Sequence, residues 1–426
     1  MDILCLAYCT ILILAQIKCD VSKNQFDIFN FKYIFQLYYF IQLPLMNFMY
    51  GTFAAPFADK RMLYPVDDWL RDEVSLYIMV GHTALFIGLL MASNLKISRF
   101  EPRLYFWHSD KVKKILLLGL ILQISAFIYI VSLYGGISSF ISNLNEWRYG
   151  GCLMGKGMFL FWIQDFPLLM SCLMAYYFRE KFHDTKIKVA YIIYILYSIV
   201  LMFIMGFRGP AFYFLLVSLI ACHYMWDHIK VRFIVIFMFL AFVAVFISGI
   251  YRIALEMDLP LEQLINYIDD YQTLLTSSPL FRIKGSEIFA RVLEVTNEYR
   301  YGLDTLLEAV TIVIPGWMWD KPEPTLFVFS RTIYGLEGGG ITPTILANLY
   351  WEFGIVGITF GMLIIGLLLN VSYNTLSEAL VAPNGVFYYA CTFIFFIILS
   401  ASLNAALNFI VIYFFMYFLF MWYLQR

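Results

Sequence analysis

Between Tyr251 and Ile341 the chain carries Arg252, Arg282, Arg291, Arg300 and Arg331. The same stretch holds IPGWMWDKPEP (Ile314–Pro324), with Lys321 inside it, and an apolar run containing Glu352 follows. A guanidinium is a planar fork of donors that matches a phosphate or carboxylate bidentately, so arginine at this density suits an anionic ligand. The competing reading is salt bridging to nearby acids such as Glu287, Glu294, Glu298 and Asp304. Glu352 lies close in sequence to Thr344 and Asn348, and a carboxylate there suits removal of a proton from an attacking hydroxyl. It equally suits capping or tethering of the stretch before it. Asp269, Asp270, Glu294, Glu298 and Glu337 are rival carboxylates that the sequence does not rank.

Further candidates lie outside this stretch. Arg208 sits in Phe-Arg-Gly-Pro (Phe207–Pro210), a tight turn between two apolar runs, where it either meets an anion or anchors the turn by snorkelling. Arg148 follows Gly135-Gly136 in a shorter connection. Asp165 stands inside an apolar run two residues before Pro167, and an ionisable group at such depth is a functional candidate by default. A bond to a neighbouring helix is its structural alternative, and the same alternative is favoured for His82. No CxxC, HExxH or GxGxxG pattern occurs, and GGCLMGKG (Gly150–Gly157) has glycine where a phosphate-binding loop needs Ser or Thr. Glu256-Met-Asp258 is a weak metal signal. The expectation is therefore no cofactor, no metal and no nucleic acid.

What must position these residues is a membrane frame. The chain is 62% hydrophobic and only 14% charged over 426 residues. A helical span needs roughly 20 apolar residues, and Ile115–Tyr134, Val189–Gly206 and Phe233–Tyr251 approach or reach that without a charge. The fold class is an all-α polytopic integral membrane protein of about 11 transmembrane helices. The expected spans are Ile3–Ile17 (a short retained span rather than a signal peptide), Tyr33–Tyr50, Val74–Ser93, Ile115–Tyr134, Met158–Phe178, Val189–Gly206, Pro210–Trp226, Phe233–Tyr251, Thr342–Asn370, Gly385–Leu403 and Ala405–Leu424. Residues 1–250 thus hold spans 1–8, residues 251–341 form one long loop, and residues 342–426 hold spans 9–11. The seven cysteines lie mostly in or beside apolar runs and imply no disulfide framework.

Charge sets the orientation. Sixteen Lys and Arg fall on one set of short connections against six on the other, so the first set is cytoplasmic and the long loop external. Counting that loop, the external side carries nine arginines (Arg61, Arg71, Arg148, Arg208, Arg252, Arg282, Arg291, Arg300 and Arg331) against four lysines. External arginine runs against the topology rule, which makes an anion-binding role for the group more attractive. Within the loop, Leu261–Thr273 and Glu287–Glu298 read as amphipathic helices, with their apolar faces on the bundle or in the interface. Trp317, Trp319 and Trp351 suit the headgroup level, with stacking on sugar rings as the alternative.

These elements, in order, carry a resemblance. Gly135-Gly136-Ile137 with Arg148, Gly206-Phe-Arg208-Gly, Arg291 with Tyr301-Gly302, Ile314-Pro315, Trp319-Asp-Lys321-Pro322, and Thr342-Pro-Thr344 leading to Phe353-Gly354-x-x-Gly357 together resemble the Wzy-type O-antigen and repeat-unit polymerases. The resemblance implies an architecture of GT-C type in the bacterial inner membrane, with its active face periplasmic. It implies transfer of a growing glycan from undecaprenyl diphosphate to the next lipid-linked repeat unit. Arg291, separated from Gly302 by ten residues as in the family's spacing, would hold the diphosphate, and the position matching that spacing after Arg148 is Phe159. Arg148, Arg208, Arg252, Arg300, Lys321 and Asp165 are the further substrate-binding candidates, and Glu352 with Arg291 the catalytic ones. Partners are the lipid-linked oligosaccharide and membrane lipid, with a chain-length regulator left open. A ligase moving finished glycan to a lipid core, or a flippase or transporter, are the other classes; the chain shows no internal repeat of the transporter kind.

Overall fold

The computed structural model describes residues 1–23, 26–53, 67–93, 95, 107–142, 162–179, 184–204, 208–226, 229–230, 232–234, 236, 285–296, 298–311, 318–319, 323–335 and 343–425. Among the described residues every regular element is helical. In chain order these are α1 (Asp2–Ser22), α2 (Phe31–Phe40), a π turn (Ile41–Leu45), α3 (Met46–Phe53), α4 (Asp68–Met91), α5 (Ser109–Leu133), α6 (Ile137–Ser142), α7 (Phe166–Tyr177), α8 (Thr185–Ile204), α9 (Arg208–Met225), α10 (Gly285–Val295), α11 (Leu303–Thr311), α12 (Thr325–Tyr334), α13 (Ile345–Ser377), α14 (Pro383–Ala401) and α15 (Leu403–Gln425). Six of them, α1, α4, α5, α8, α13 and α14, are long and apolar enough to cross a membrane. The eighth expected span and the helix expected at Leu261–Thr273 lie outside the described residues but for a few positions.

The second expected span, Tyr33–Tyr50, is a helix with a flaw in the middle. Pro44 has no N–H to give and its ring crowds the preceding turn, so the chain widens into the π turn between α2 and α3. The first span extends to 21 residues rather than the short run expected, because its polar end finds partners. Lys32 Nζ lies 2.7 Å from Asp20 Oδ2, both side chains almost fully buried, and Gln16 donates to the same carboxylate.

The chain divides into two compact units. One comprises Met1–Ser98, Phe246–Thr375 and Phe395–Phe415. In it α1 is joined to α4 by the Tyr8 and Thr83 hydroxyls, 2.7 Å apart, and Tyr39 donates to the Ile78 carbonyl. α4 and α13 approach until their backbones touch. A Cβ on Gly88 would collide with the Leu363 carbonyl, and one on Gly366 with the Leu85 carbonyl. Nearby, Asn370 donates to the Leu89 carbonyl at 2.6 Å, the polar contact that small residues permit at a close crossing. His82 is fully buried with its ring edge-on to Tyr39, and neither ring nitrogen has a hydrogen-bond partner among the described residues, so the bond to a neighbouring helix expected for it is not displayed.

The other unit comprises Arg99–Val245, Leu376–Ile394 and Met416–Arg426. There Ser171 of α7 meets Tyr191 of α8 and Ser218 of α9, each at 2.7 Å. Ala126, Ile130, Val131, Phe140, Ile163 and Leu201 form a buried apolar cluster, with the Gly135-Gly136 turn at its edge. Asp165 proves to be the N-cap of α7, with Pro167 just inside the helix. Its carbonyl accepts the Tyr417 hydroxyl at 2.7 Å. Phe387 and Tyr417, whose rings are 5.0 Å apart, tie α14 to α15 in this unit.

Candidate functional site

α13 is interrupted at Gly354, whose φ of 64° and ψ of −151° belong to a region of backbone space open essentially to glycine alone. The bend is sharp. Residues eight apart would be separated by about 12 Å along a straight helix, yet a Cβ on Gly357 would collide with the Leu349 carbonyl and one on Gly361 would lie 2.6 Å from the Leu349 side chain. The part before the break, from Ile345 to Glu352, is buried nearly all round, as befits a helix enclosed within the bundle. Asn348 Oδ1 there accepts the backbone N–H of Leu403, at the start of α15.

A break in an apolar helix frees backbone groups that need partners. The turn after α10 supplies them. Arg300 donates its N–H to the Trp351 carbonyl at 3.4 Å, and Tyr301 donates to the Glu352 carbonyl at 3.0 Å. Tyr301 and Gly302 take positive φ to turn the chain into α11. Tyr299 lies across the break itself, so close that a Cβ on Gly354 would stand 2.7 Å from its ring.

Glu352 closes this arrangement. Its Oε2 accepts the Gly302 N–H at 2.7 Å and its Oε1 accepts the Thr305 hydroxyl at 2.8 Å. The side chain is 1% exposed. A carboxylate at the first turn of α11 is favoured by the unsatisfied N–H groups and dipole there. Of the two roles foreseen for Glu352, this geometry displays the tether: both oxygens are engaged and buried.

Arg300 stands beside the break, its N–H on the Trp351 carbonyl. Its guanidinium carbon stands 4.9 Å from the centre of the Trp351 ring, a cation–π stack that orients the fork. Trp351 is itself buried, edge-on to Phe329 of α12 at 5.1 Å. Trp351 is turned inward, not outward to lipid as a belt residue would be: it is the floor under Arg300. Trp319 is half exposed.

Arg291 lies on α10, the helix expected over Glu287–Glu298. Phe289, Ala290 and Val292 bury one face of it, and Arg291 leaves from the other. Its Nε donates to the Ile333 carbonyl at 3.3 Å, and its guanidinium pairs with Glu294. Tyr334 of α12 joins this group. Burial and the charge of Glu287 push its hydroxyl above the ordinary tyrosine range, with Arg291 pulling the other way.

The sequence reading missed the aromatic wall beside these cations. Tyr77 of α4, Phe289 of α10, Tyr299 of the turn and Tyr350 of α13 form a chain of rings with centroids 5.5–6.1 Å apart. Tyr299 is exposed at its outer edge. Such a wall offers flat apolar faces with hydroxyls at their rims, which suits a sugar ring.

The structure thus places Arg291, Arg300 and Glu352 in one unit, Arg300 and Glu352 beside the α13 break and Arg291 on α10 against α12. Asp165 belongs to the other unit, and Arg208 is the first residue of α9 there. Arg148, Arg252 and Lys321 lie outside the described residues. Salt bridging, the competing reading for the arginines, is realised at Arg71 with Asp68, Arg291 with Glu294 and Arg331 with Glu323. Among the described residues no three His, Cys, Asp or Glu side chains are grouped to hold a metal ion.

A family model described as "Putative O-antigen polymerase" matches residues 27–398. No curated protein and no solved structure matches the chain.

Proposed function

The chain belongs to the O-antigen polymerase family of multi-pass membrane proteins, and on that premise we propose that it transfers a growing glycan from a polyprenyl diphosphate to the next lipid-linked repeat unit. In this reading the long loop and the α13 break lie on the periplasmic side of the inner membrane. The observation that carries the proposal is Arg300, stacked on buried Trp351 and fixed through its own N–H at the helix break.

The reaction breaks the bond between the donor's anomeric carbon and the diphosphate oxygen, while an acceptor hydroxyl forms the new glycosidic bond and gives up its proton to the departing diphosphate or to solvent. Charge develops on the departing diphosphate, so preorganised donors aimed at it supply the largest stabilisation. Arg300 and Arg291 fill that role, Arg300 through its oriented fork and Arg291 by exchanging Glu294 for the ligand. Arg208, Arg148, Arg252 and Lys321 are further contacts for the anionic lipid, and Asp165 remains a candidate substrate contact. Tyr77, Tyr299 and Tyr350 face the sugars. Glu352 acts through Gly302 and Thr305, holding Arg300 in place, and is a positioning residue; proton transfer by Glu352 itself would require release of the bonds that engage it.

The test uses purified protein in lipid nanodiscs, given its native undecaprenyl-diphosphate repeat unit without nucleotide sugar. A ladder of polymers on a gel, collapsing to single units in Arg300→Ala and Arg291→Ala, is the expected result. No ladder from the native unit overturns the proposal. Transfer to a lipid A–core acceptor instead would identify a ligase, and transbilayer movement without bond formation a flippase.

A further inference from the structure

α11 is amphipathic in the wrong sense for a helix in water. Its polar side faces the protein: Thr305, 4% exposed, donates to Glu352, and Glu308 Oε2 accepts the N–H of Thr325 at 2.7 Å. Its aliphatic side faces outward, with Leu306 and Val310 each 59% exposed and Leu307 beside them. A helix on a soluble surface buries its apolar stripe and exposes the polar one. Here the clamp by Glu352 and the cap on α12 hold the reverse arrangement in place.

The exposed side is continuous with an apolar stripe on α13, a helix long and apolar enough to cross a membrane. On α13, Val356, Phe360 and Ile364 recur at helical spacing as an exposed apolar stripe. Phe353, at the break, packs edge-on against Tyr301 at 6.4 Å, and Tyr301 leads through Gly302 into α11. The apolar surface therefore runs from the α13 stripe over Phe353 and Tyr301 to Leu306 and Val310. From this we infer that α11 lies in the bilayer interface, its aliphatic side seated in the leaflet that α13 enters at Phe353. An interfacial helix of this kind presents Trp, Phe or Leu to the acyl boundary. The inference requires a membrane but not the polymerase reading, and it sets the depth of the α13 break at the level of lipid headgroups.

The experiment places a photoreactive benzophenone amino acid at Leu306, Leu307 or Val310 of the full chain in nanodiscs. Phe360 serves as the lipid-facing control and Glu323 as the water-facing one. Phospholipid adducts at Leu306 and Val310, at a yield within about twofold of Phe360, are expected. Adducts to protein, whether a second copy or another chain, overturn the inference, and so does a yield as low as that at Glu323. Leu307 gives an independent reading on the same side, and monodisperse elution in each variant separates misfolding from a change of surroundings.

Discussion

Gly302 donates its backbone N–H to Glu352 Oε2 at 2.7 Å, across fifty positions of the chain. That bond joins the start of α11 to the residue two places before the α13 break. It makes the geometry of Arg300, two residues before Gly302, depend on a carboxylate that has no exposed face of its own.

Glu352→Ala leaves the Gly302 and Thr305 donors buried without an acceptor, at about 1–3 kcal/mol each. A lower thermal midpoint in detergent and a weak polymer ladder are expected. Glu352→Gln, which keeps one acceptor oxygen, should recover much of both. Abolished polymerisation in Glu352→Gln at an unchanged midpoint would instead make Glu352 the proton acceptor.

Gly354→Ala meets two obstacles. The backbone conformation costs about 1–3 kcal/mol for a residue with a side chain, and the new Cβ strikes the Tyr299 ring. Pairing it with Tyr299→Ala removes the collision but not the backbone penalty. The double variant should therefore regain part, and only part, of the midpoint lost by Gly354→Ala.

The arginines should separate by their surroundings. Arg331 is bidentate to Glu323 at 2.7–2.8 Å with both side chains about half exposed, a pair of small energetic worth. Arg331→Ala should leave polymer yield within about twofold of the parent. Arg300→Lys keeps the charge and loses the fork and the stack on Trp351, and a fall of about tenfold or more in rate is expected, or roughly 1.4 kcal/mol. Equal rates for Arg300→Lys and the parent would remove the guanidinium from the proposed mechanism.

Asp20 and Lys32 offer a test remote from the site. Removing one partner of a buried pair strands the other charge, at about 3–5 kcal/mol, while replacing both is often close to neutral. Asp20→Asn and Lys32→Met should each lower the midpoint strongly. The double variant should be more stable than either, as a thermal double-mutant cycle will read.

The frame was largely readable from hydropathy, because a charge-free run of membrane length has few alternatives to a buried or lipid-facing helix. α4, α5, α8, α14 and α15 fall within several residues of their expected ends. The α13 break was not readable. Gly354 lies two residues after Glu352 in an otherwise apolar run, and a glycine there fits a straight helix in tight packing as well as a bent one. The arginines declared a ligand class but not a geometry, since the stack of Arg300 on Trp351 and the pairing of Arg331 with Glu323 depend on long-range folding. Glu352 was visible as an isolated carboxylate in an apolar setting, and only its partners, from a distant part of the chain, distinguish clamp from base. The tyrosine wall draws one ring from each of four elements and leaves no local pattern.

α14 and α15 are separated by Ser402 alone, and Phe387 and Tyr417 pack at equal distances in sequence from it. This has a consequence for biogenesis. With no polar connection to translocate between them, the two helices must enter the bilayer as one hairpin. Glu378 is the last charged residue before Arg426, so within the hairpin no charge directs insertion. Its orientation has to be settled by the helices already inserted.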